Sequence, residues 1–273
     1  VPITLAHPIA VLPFARYLPM PALVAGAIAP DVVYYLPLPL DGSATHSPLG
    51  LLSWNLLLGL AVLAALRLSA PPALALAPYR VSLSTPVLSG PGGQPMATII
   101  ALAVGAMTHL AWDSVTQTGG FAVRRWELLR APVLEPHRVH NVIGYVSSLV
   151  GTVLVAVLLV RNARRHTPGM ARPWRRVILT VLVAAPALGA VLAVDDPVTR
   201  TSGYDLVRHV IVGAAQGLGC AWTVYALGWW ITDRWSPGRA ATTEGEGDHD
   251  GESRDDSGRG EGGGHAADQG VGG

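Results

Sequence analysis

The sequence predicts an all-α fold: a polytopic membrane helical bundle of about five spanning helices, with short N-terminal helices before it and a disordered C-terminal tail after it. Three observations predict this. Half of the 273 residues are hydrophobic and only 14% are charged, whereas a soluble domain carries about a quarter charged residues. The mean hydropathy is positive, at +0.39. Five apolar segments, roughly 49–67, 96–113, 141–160, 177–194 and 206–232, approach the ~20 residues that a helix needs to cross a bilayer.

In chain order, Pro8, Pro13, Pro19 and Pro21 punctuate the start. They predict a short helix near 8–17 and a second over 19–30, too short to cross and therefore buried or re-entrant. The N-terminus has no basic region leading into an uninterrupted apolar stretch, so it does not read as a cleaved signal peptide. The first span has Ser47 as its N-cap and Pro48 at the first helical position, and Arg67 with Pro71-Pro72 marks its far end. Residues 69–95, rich in Pro, Ser and Gly, read as a loop. Trp222, Tyr225, Trp229, Trp230 and Trp235 near the end of the last span suit an interfacial aromatic belt. The domains are therefore 1–235, membrane-embedded and helical, and 236–273, an acidic Gly-rich tail without apolar periodicity. His249 and His265 in that tail read as solvated.

All nineteen basic residues are arginines. They are dispersed and the net charge is +1, so no nucleic-acid partner is expected. The single cysteine, Cys220, excludes an intrachain disulfide. No GxGxxG, P-loop, CxxC or HExxH pattern occurs. Arg161, Arg164, Arg165, Arg172, Arg175 and Arg176 lie between the third and fourth spans, against Arg124, Arg125, Arg130 and Arg138 between the second and third. The excess assigns the first loop, and with it the tail, to the cytoplasmic side.

Four short polar islands interrupt the apolar chain: Ala6-His7-Pro8, Ala29-Pro30-Asp31, Thr45-His46-Ser47 and Thr108-His109-Leu110-Ala111-Trp112-Asp113. Ionisable groups are costly in an apolar setting and ask for a partner. Alternation of the spans puts His46, His109, Asp113 and His140 at one membrane face, along with His209, and a short loop brings Asp31 to His46. His109 and Asp113 stack four apart on one helix side, a spacing that lets two ligands share one ion. Each island also has a plainer reading. His109 and Asp113 can form a hydrogen-bonded pair, Asp31 a turn or N-cap residue, and His46 and His7 flanking positions at helix starts. Of His137 and His140, the latter adjoins the third span and is preferred. His166 belongs to the opposite face.

The islands, in this order, resemble an uncharacterised bacterial membrane-protein family, domain-of-unknown-function family 4184, whose members carry Pro-Phe-Thr-x-x-His-Pro, Ala-Pro-Asp, Thr-His-Ser and Thr-His-x-x-Trp-Asp. Here the first reads Pro2-Ile3-Thr4-Leu5-Ala6-His7-Pro8, and Val139-His140-Asn141-Val142-Ile143-Gly144 is similar to a Gln-His-x-x-x-Gly stretch with Val139 for glutamine. The likeness covers roughly residues 1–232. The same order is similar to bacterial inner-membrane proteins described as membrane-bound metal-dependent hydrolases. That likeness implies a multi-pass protein of the bacterial cytoplasmic membrane, with His7, Asp31, His46, His109 and Asp113 as metal ligands.

The chemistry expected of such a set is hydrolysis of a phosphoester or other ester, with a lipid-like substrate suited to a site at the bilayer surface. A divalent ion, zinc by preference for a histidine-rich set, would lower the pKa of a coordinated water to about 7. Asp31 or Asp113 would serve as general base, and His140 as a proton donor behind the ligands or as a further ligand. Five or six His and Asp groups also leave room for two ions. The alternatives are a structural metal or His–Asp network in a protein that is not an enzyme, or a transporter, though spans 141–160 and 177–194 carry almost no polar groups for a path.

Overall fold

Pro8 and Pro13 withhold the amides that an α-helix would need, and Thr4–Phe14 accordingly winds as a 3₁₀ helix. The computed structural model describes residues 4–77, 81–83, 94–165 and 172–234. The chain divides into two units, Val1–Ile231 and Thr232–Gly273, and the first holds the fold. The tail expected over 236–273 lies outside the described residues.

After the 3₁₀ helix come α1 (Met20–Ile28), started by Pro21, and a second 3₁₀ helix, Ala29–Tyr34. Two short helices follow, α2 (Gly42–Thr45) and α3 (Pro48–Leu52), and then the first long one, α4 (Trp54–Ala75). Ser47 does cap a helix, accepting the Gly50 amide at 2.9 Å. The helix it caps is the five-residue α3, because Ser53 leaves helical geometry with φ −126° and ψ −88°. The span therefore starts at Trp54, and the fully buried Asn55 ties the break down by donating to the Thr45 carbonyl at 2.8 Å.

At its other end α4 runs through Pro71 and Pro72 to Ala75, where a loop was expected from residue 69. Pro72 cannot donate to the Leu68 carbonyl four residues back. The indole of Trp230 donates to that oxygen instead, at 3.0 Å. Tyr225 donates to the Pro72 carbonyl at 2.8 Å and Trp222 to the Ser69 hydroxyl at 2.9 Å. Three of the aromatic residues read as a belt thus clasp the proline-bearing end of the first span. A proline is tolerated in such a helix when neighbours satisfy the backbone groups it frees.

The remaining elements are strand β1 (Val81–Leu83), α5 (Pro95–Thr116), α6 (Phe121–Arg125), α7 (Glu127–Arg130), strands β2 (Pro132–Leu134) and β3 (His137–Arg138), α8 (Val139–Asn162), strand β4 (Ala163–Arg165), α9 (Arg172–Val194), a third 3₁₀ helix, Pro197–Arg200, and α10 (Gly203–Arg234). Strand β1 pairs antiparallel with β4, Ser82 opposite Arg164, and β2 with β3 in a small hairpin. Among the described residues, five helices are long and apolar enough to cross a membrane and two minor strand pairs occur, so the chain is an all-α polytopic protein. The β1–β4 pairing joins the loops that follow the first and third spans, as alternation of the spans requires.

The short helix α1 sits at the centre. Leu23, Ala25 and Ala27 are fully buried and pack with Leu63 of α4 and Ala101 and Leu102 of α5. Contact with α5 is backbone to backbone: a Cβ on Gly105 would lie 2.2 Å from the Leu23 carbonyl oxygen, and one on Gly26 2.2 Å from that of Leu102. Small residues let helices approach this closely where hydrophobic exclusion gives little drive. The N-terminal 3₁₀ helix lies against α8 and α1.

Candidate metal centre

Close packing of α1 on α5 sets the position of the first ligand. His109, fully buried on α5, donates from Nδ1 to the carbonyl oxygen of Ala27 at 2.7 Å. Ala27 is in the last turn of α1, where carbonyls lack helical partners. Pro30, three residues on, has no amide to offer it. The next residue, Asp31, is buried in the second 3₁₀ helix and turns its carboxylate toward the same imidazole, with Oδ1 3.4 Å from His109 Nε2.

The Thr-His-Ser island divides its labour in the same way. The Thr45 hydroxyl, fully buried, donates to the Pro30 carbonyl at 2.9 Å and joins this stretch to the Ala-Pro-Asp turn. His46 ends α2 and its Nδ1 donates to the Gly42 carbonyl at 2.9 Å. Ser47 caps α3. Asp41 in turn caps α2, accepting the Ser43 and Ala44 amides at 2.8 and 3.0 Å.

Both imidazoles therefore spend their Nδ1 protons on carbonyl oxygens, which can only accept. In the neutral rings the Nε2 atoms then carry lone pairs, and both aim at carboxylate oxygens. His46 Nε2 is 3.3 Å from Asp113 Oδ2 and 3.7 Å from Asp31 Oδ1. His109 Nε2 is 3.4 Å from Asp113 Oδ2 and 3.4 Å from Asp31 Oδ1, and it is buried with no well-aligned hydrogen-bond partner among the described residues. Either a proton on Nε2 or a shared metal ion can lie between these facing groups, and both satisfy them. Four ligands about 2.0–2.1 Å from a shared ion stand about 3.3–3.4 Å apart at the tetrahedral angle, close to these four separations. Asp31, His46, His109 and Asp113 all lie within 4.8 Å of one another and can hold a metal ion. Two carboxylates and two neutral imidazoles carry a net charge of −2, which a divalent ion balances.

His7 stands beside this group. Its Nε2 is 3.4 Å from Oδ1 of Asp113, the oxygen turned away from His46 and His109. Its ring stacks on that of His109 with centroids 3.9 Å apart, and Trp112 flanks it at 5.5 Å. The Thr4 hydroxyl does for Asp31 what His7 does for Asp113, donating to Oδ2 at 2.6 Å, with the Tyr35 hydroxyl 3.0 Å behind it. Thr4 and His7 are three apart on a 3₁₀ helix, which has three residues per turn, so they share one face. One N-terminal helix thus holds the outer oxygen of both carboxylates.

His140 is buried, but its bonds go to the connecting segment: Nδ1 donates to the Leu129 carbonyl at 2.8 Å and Nε2 lies 3.4 Å from the Thr118 hydroxyl. His137 is exposed beside Tyr145. His209 donates to the Asp205 carbonyl of its own helix at 2.8 Å. Of the sequence-derived ligand set, the structure unites Asp31, His46, His109 and Asp113, sets His7 against an outer oxygen, and gives His140 separate partners.

The family model of the domain of unknown function DUF4184 matches residues 1–227, which include every residue of this centre. The chain belongs to the DUF4184 family. No curated protein and no solved structure matches it. In this DUF4184 chain, sequence reasoning missed the parts played by Thr4, Pro30, Thr45 and Asn55. Pro30 and Thr45 sit inside the islands and Thr4 lies three residues before His7; what marks these three is a hydroxyl or a missing amide close to an ionisable residue.

Proposed function

We propose that this DUF4184 protein is a membrane-embedded, divalent-metal-dependent hydrolase that cleaves a phosphoester or other ester at the bilayer surface. The observation that carries the metal is the pair of Nδ1–carbonyl bonds at His46 and His109, which leave two Nε2 lone pairs directed at Asp31 and Asp113. Zinc suits two nitrogen and two oxygen ligands. A bound ion of this kind supplies Lewis acidity and lowers the pKa of water to about 7. The chain's residues do the rest. His46 and His109 present their Nε2 atoms, Asp31 and Asp113 balance the charge, and Thr4 and His7 hold the carboxylates in place. His46, whose side chain is 22% exposed while that of His109 is 0%, marks the side from which water and substrate reach the centre. If one of the two aspartates were left off the ion, it would take up the proton released there.

Four protein ligands would complete the coordination of a zinc ion, as in structural zinc sites. That favours a second reading, in which the ion pins the N-terminal hairpin to α5 and the protein is not an enzyme.

Elemental analysis of the detergent-purified full chain tests the metal. Near-stoichiometric metal in the wild type is expected, lost from a monodisperse His109→Ala, Asp113→Ala variant; metal surviving in that variant overturns the site. A panel of phosphodiester, carboxylic ester and phospholipid substrates then separates the readings, and a metal-loaded protein inert across the panel is the structural one. We further assign the protein to a bacterial cytoplasmic membrane with the 161–176 loop inside. Opposite sidedness of maleimide labelling at Arg125→Cys and Pro168→Cys, each in a Cys220→Ser background, is the expected result.

A further inference from the structure

The segment between α5 and α8 carries a second set of chemistry, independent of the metal. It is no free loop. Ala122, Val123 and Leu129 are buried and pack on Val115 of α5 and Val139 at the start of α8, and His140 of α8 holds the Leu129 carbonyl. Both ends of the segment are ends of spans, so its height is that of the bilayer boundary. Its outward side mixes two residue classes. Phe121 is 65% exposed, Trp126 61%, Leu128 74% and Leu134 74%. Arg124, Arg125, Arg130 and Arg138 are exposed among them, against the two acids Glu127 and Glu135. Aromatic and aliphatic side chains interleaved with arginine fit the zone where acyl chains meet phosphates.

A shallow depression of about 560 Å³ opens on this side, lined by Glu127, Leu128, Arg130, Ala131 and Arg138. Arg138 is held at the depression by a 3.3 Å bond from its guanidinium to the Arg130 carbonyl. Two guanidiniums and one carboxylate leave a net charge of +1, which matches a phosphodiester with its single negative charge. Guanidinium is the side-chain group best shaped for such oxygens. Leu128 at the rim and Trp126 next to Glu127 offer apolar contact that a free inorganic anion would not use.

We propose that the 121–138 segment is an anionic-phospholipid site, in which Arg130 and Arg138 bind the phosphodiester of a glycerophospholipid while Trp126, Leu128 and Leu134 enter the acyl boundary. The bilayer would thus be gripped at the end of α5 that carries Asp113. Each arginine near an anionic surface strengthens lipid attachment severalfold.

The test uses detergent-purified full chain and native mass spectrometry with added phosphatidylglycerol or phosphatidylcholine. Wild type should retain phosphatidylglycerol in preference, and Arg130→Gln, Arg138→Gln should weaken that binding by about tenfold or more at an unchanged thermal midpoint. Equal retention by wild type and variant, equal retention of the two lipids, or displacement by millimolar inorganic phosphate would each overturn the proposal. A spin label at Leu128→Cys, in a Cys220→Ser background and phosphatidylglycerol-containing vesicles, provides a readout that does not depend on the arginine variant. Collisions with oxygen should dominate over those with a water-soluble nickel complex. A water-like label overturns the lipid site, and so does one shielded from both reagents by a second copy of the chain.

Discussion

The Nδ1 atom of His109 lies 2.7 Å from the carbonyl oxygen of Ala27, across 82 residues of sequence. This contact links the fold to the chemistry. It exists because α1 and α5 touch backbone to backbone, and it leaves His109 with its Nε2 lone pair toward Asp31 and Asp113. A partner that fixes the tautomer of a ligating histidine raises its basicity toward a metal.

Thr4 should matter to the metal through the Asp31 carboxylate. Thr4→Val keeps the shape of the side chain and removes the hydroxyl that donates to Asp31 Oδ2 at 2.6 Å. Metal affinity, measured by competition with a chromophoric chelator, should fall by about 10–100-fold. Thr4→Ser restores the donor and should restore the affinity. A Val variant that binds as tightly as wild type would refute the positioning role.

Pro30 withholds an amide from the Ala27 carbonyl that His109 uses. Pro30→Ala supplies a competing donor three residues away, the spacing of a 3₁₀ bond. Metal affinity should drop by roughly tenfold, at the lower end of effects from groups supporting a ligand, with helical circular dichroism unchanged. An unchanged affinity would mean that packing alone orients the imidazole.

Gly105 has no room for a side chain, since a Cβ would meet the Leu23 carbonyl oxygen at 2.2 Å. Gly105→Ala should cost about 1–3 kcal/mol, typical of overpacking, and should weaken metal binding as α1 is pushed off α5. Gly119, with nothing within 4 Å of its Cβ position, is the control: Gly119→Ala should leave both thermal midpoint and affinity at wild-type values.

Acid should act on two parts of the site. The Ser43 hydroxyl, with the Ala44 and Ser43 amides, holds the exposed Asp41 carboxyl below its usual range. A depressed folded pKa gives stability that is present above the unfolded value, about 3.9, and is lost as pH falls through the folded one. The difference in thermal midpoint between wild type and Asp41→Ala should therefore be full at pH 7 and vanish in strong acid. Metal uptake requires unprotonated Nε2 atoms and releases protons, so occupancy should also fall on acidification. Occupancy independent of pH between 5 and 8 would argue against histidine ligation.

Much of the helical frame was legible from composition, because a run of some twenty apolar residues has few alternatives to a spanning helix. The boundaries were less so. Pro71 and Pro72 look like a stop in sequence, and the donor that lets α4 continue past Pro72 is Trp230, some 160 residues away. The break at Ser53 was hidden for a similar reason, since Ser47 and Pro48 make a proper helix start whether the helix runs five residues or twenty. At the site, ionisable residues in an apolar chain announced themselves by their cost. Which of them would share one centre was a matter of direction, and direction depends on packing.

By itself, the sequence determined that this is a multi-pass helical protein with histidines and aspartates gathered at one end of its spans. Hydrophobic length and alternation of spans act locally and are written residue by residue. Only the tertiary structure decided that Asp31, His46, His109 and Asp113 face one another while His7 and Thr4 grip the carboxylates from behind. That arrangement rests on a close approach of two backbones, and on which imidazole nitrogen meets a carbonyl. Both are set by contacts between residues far apart in the chain.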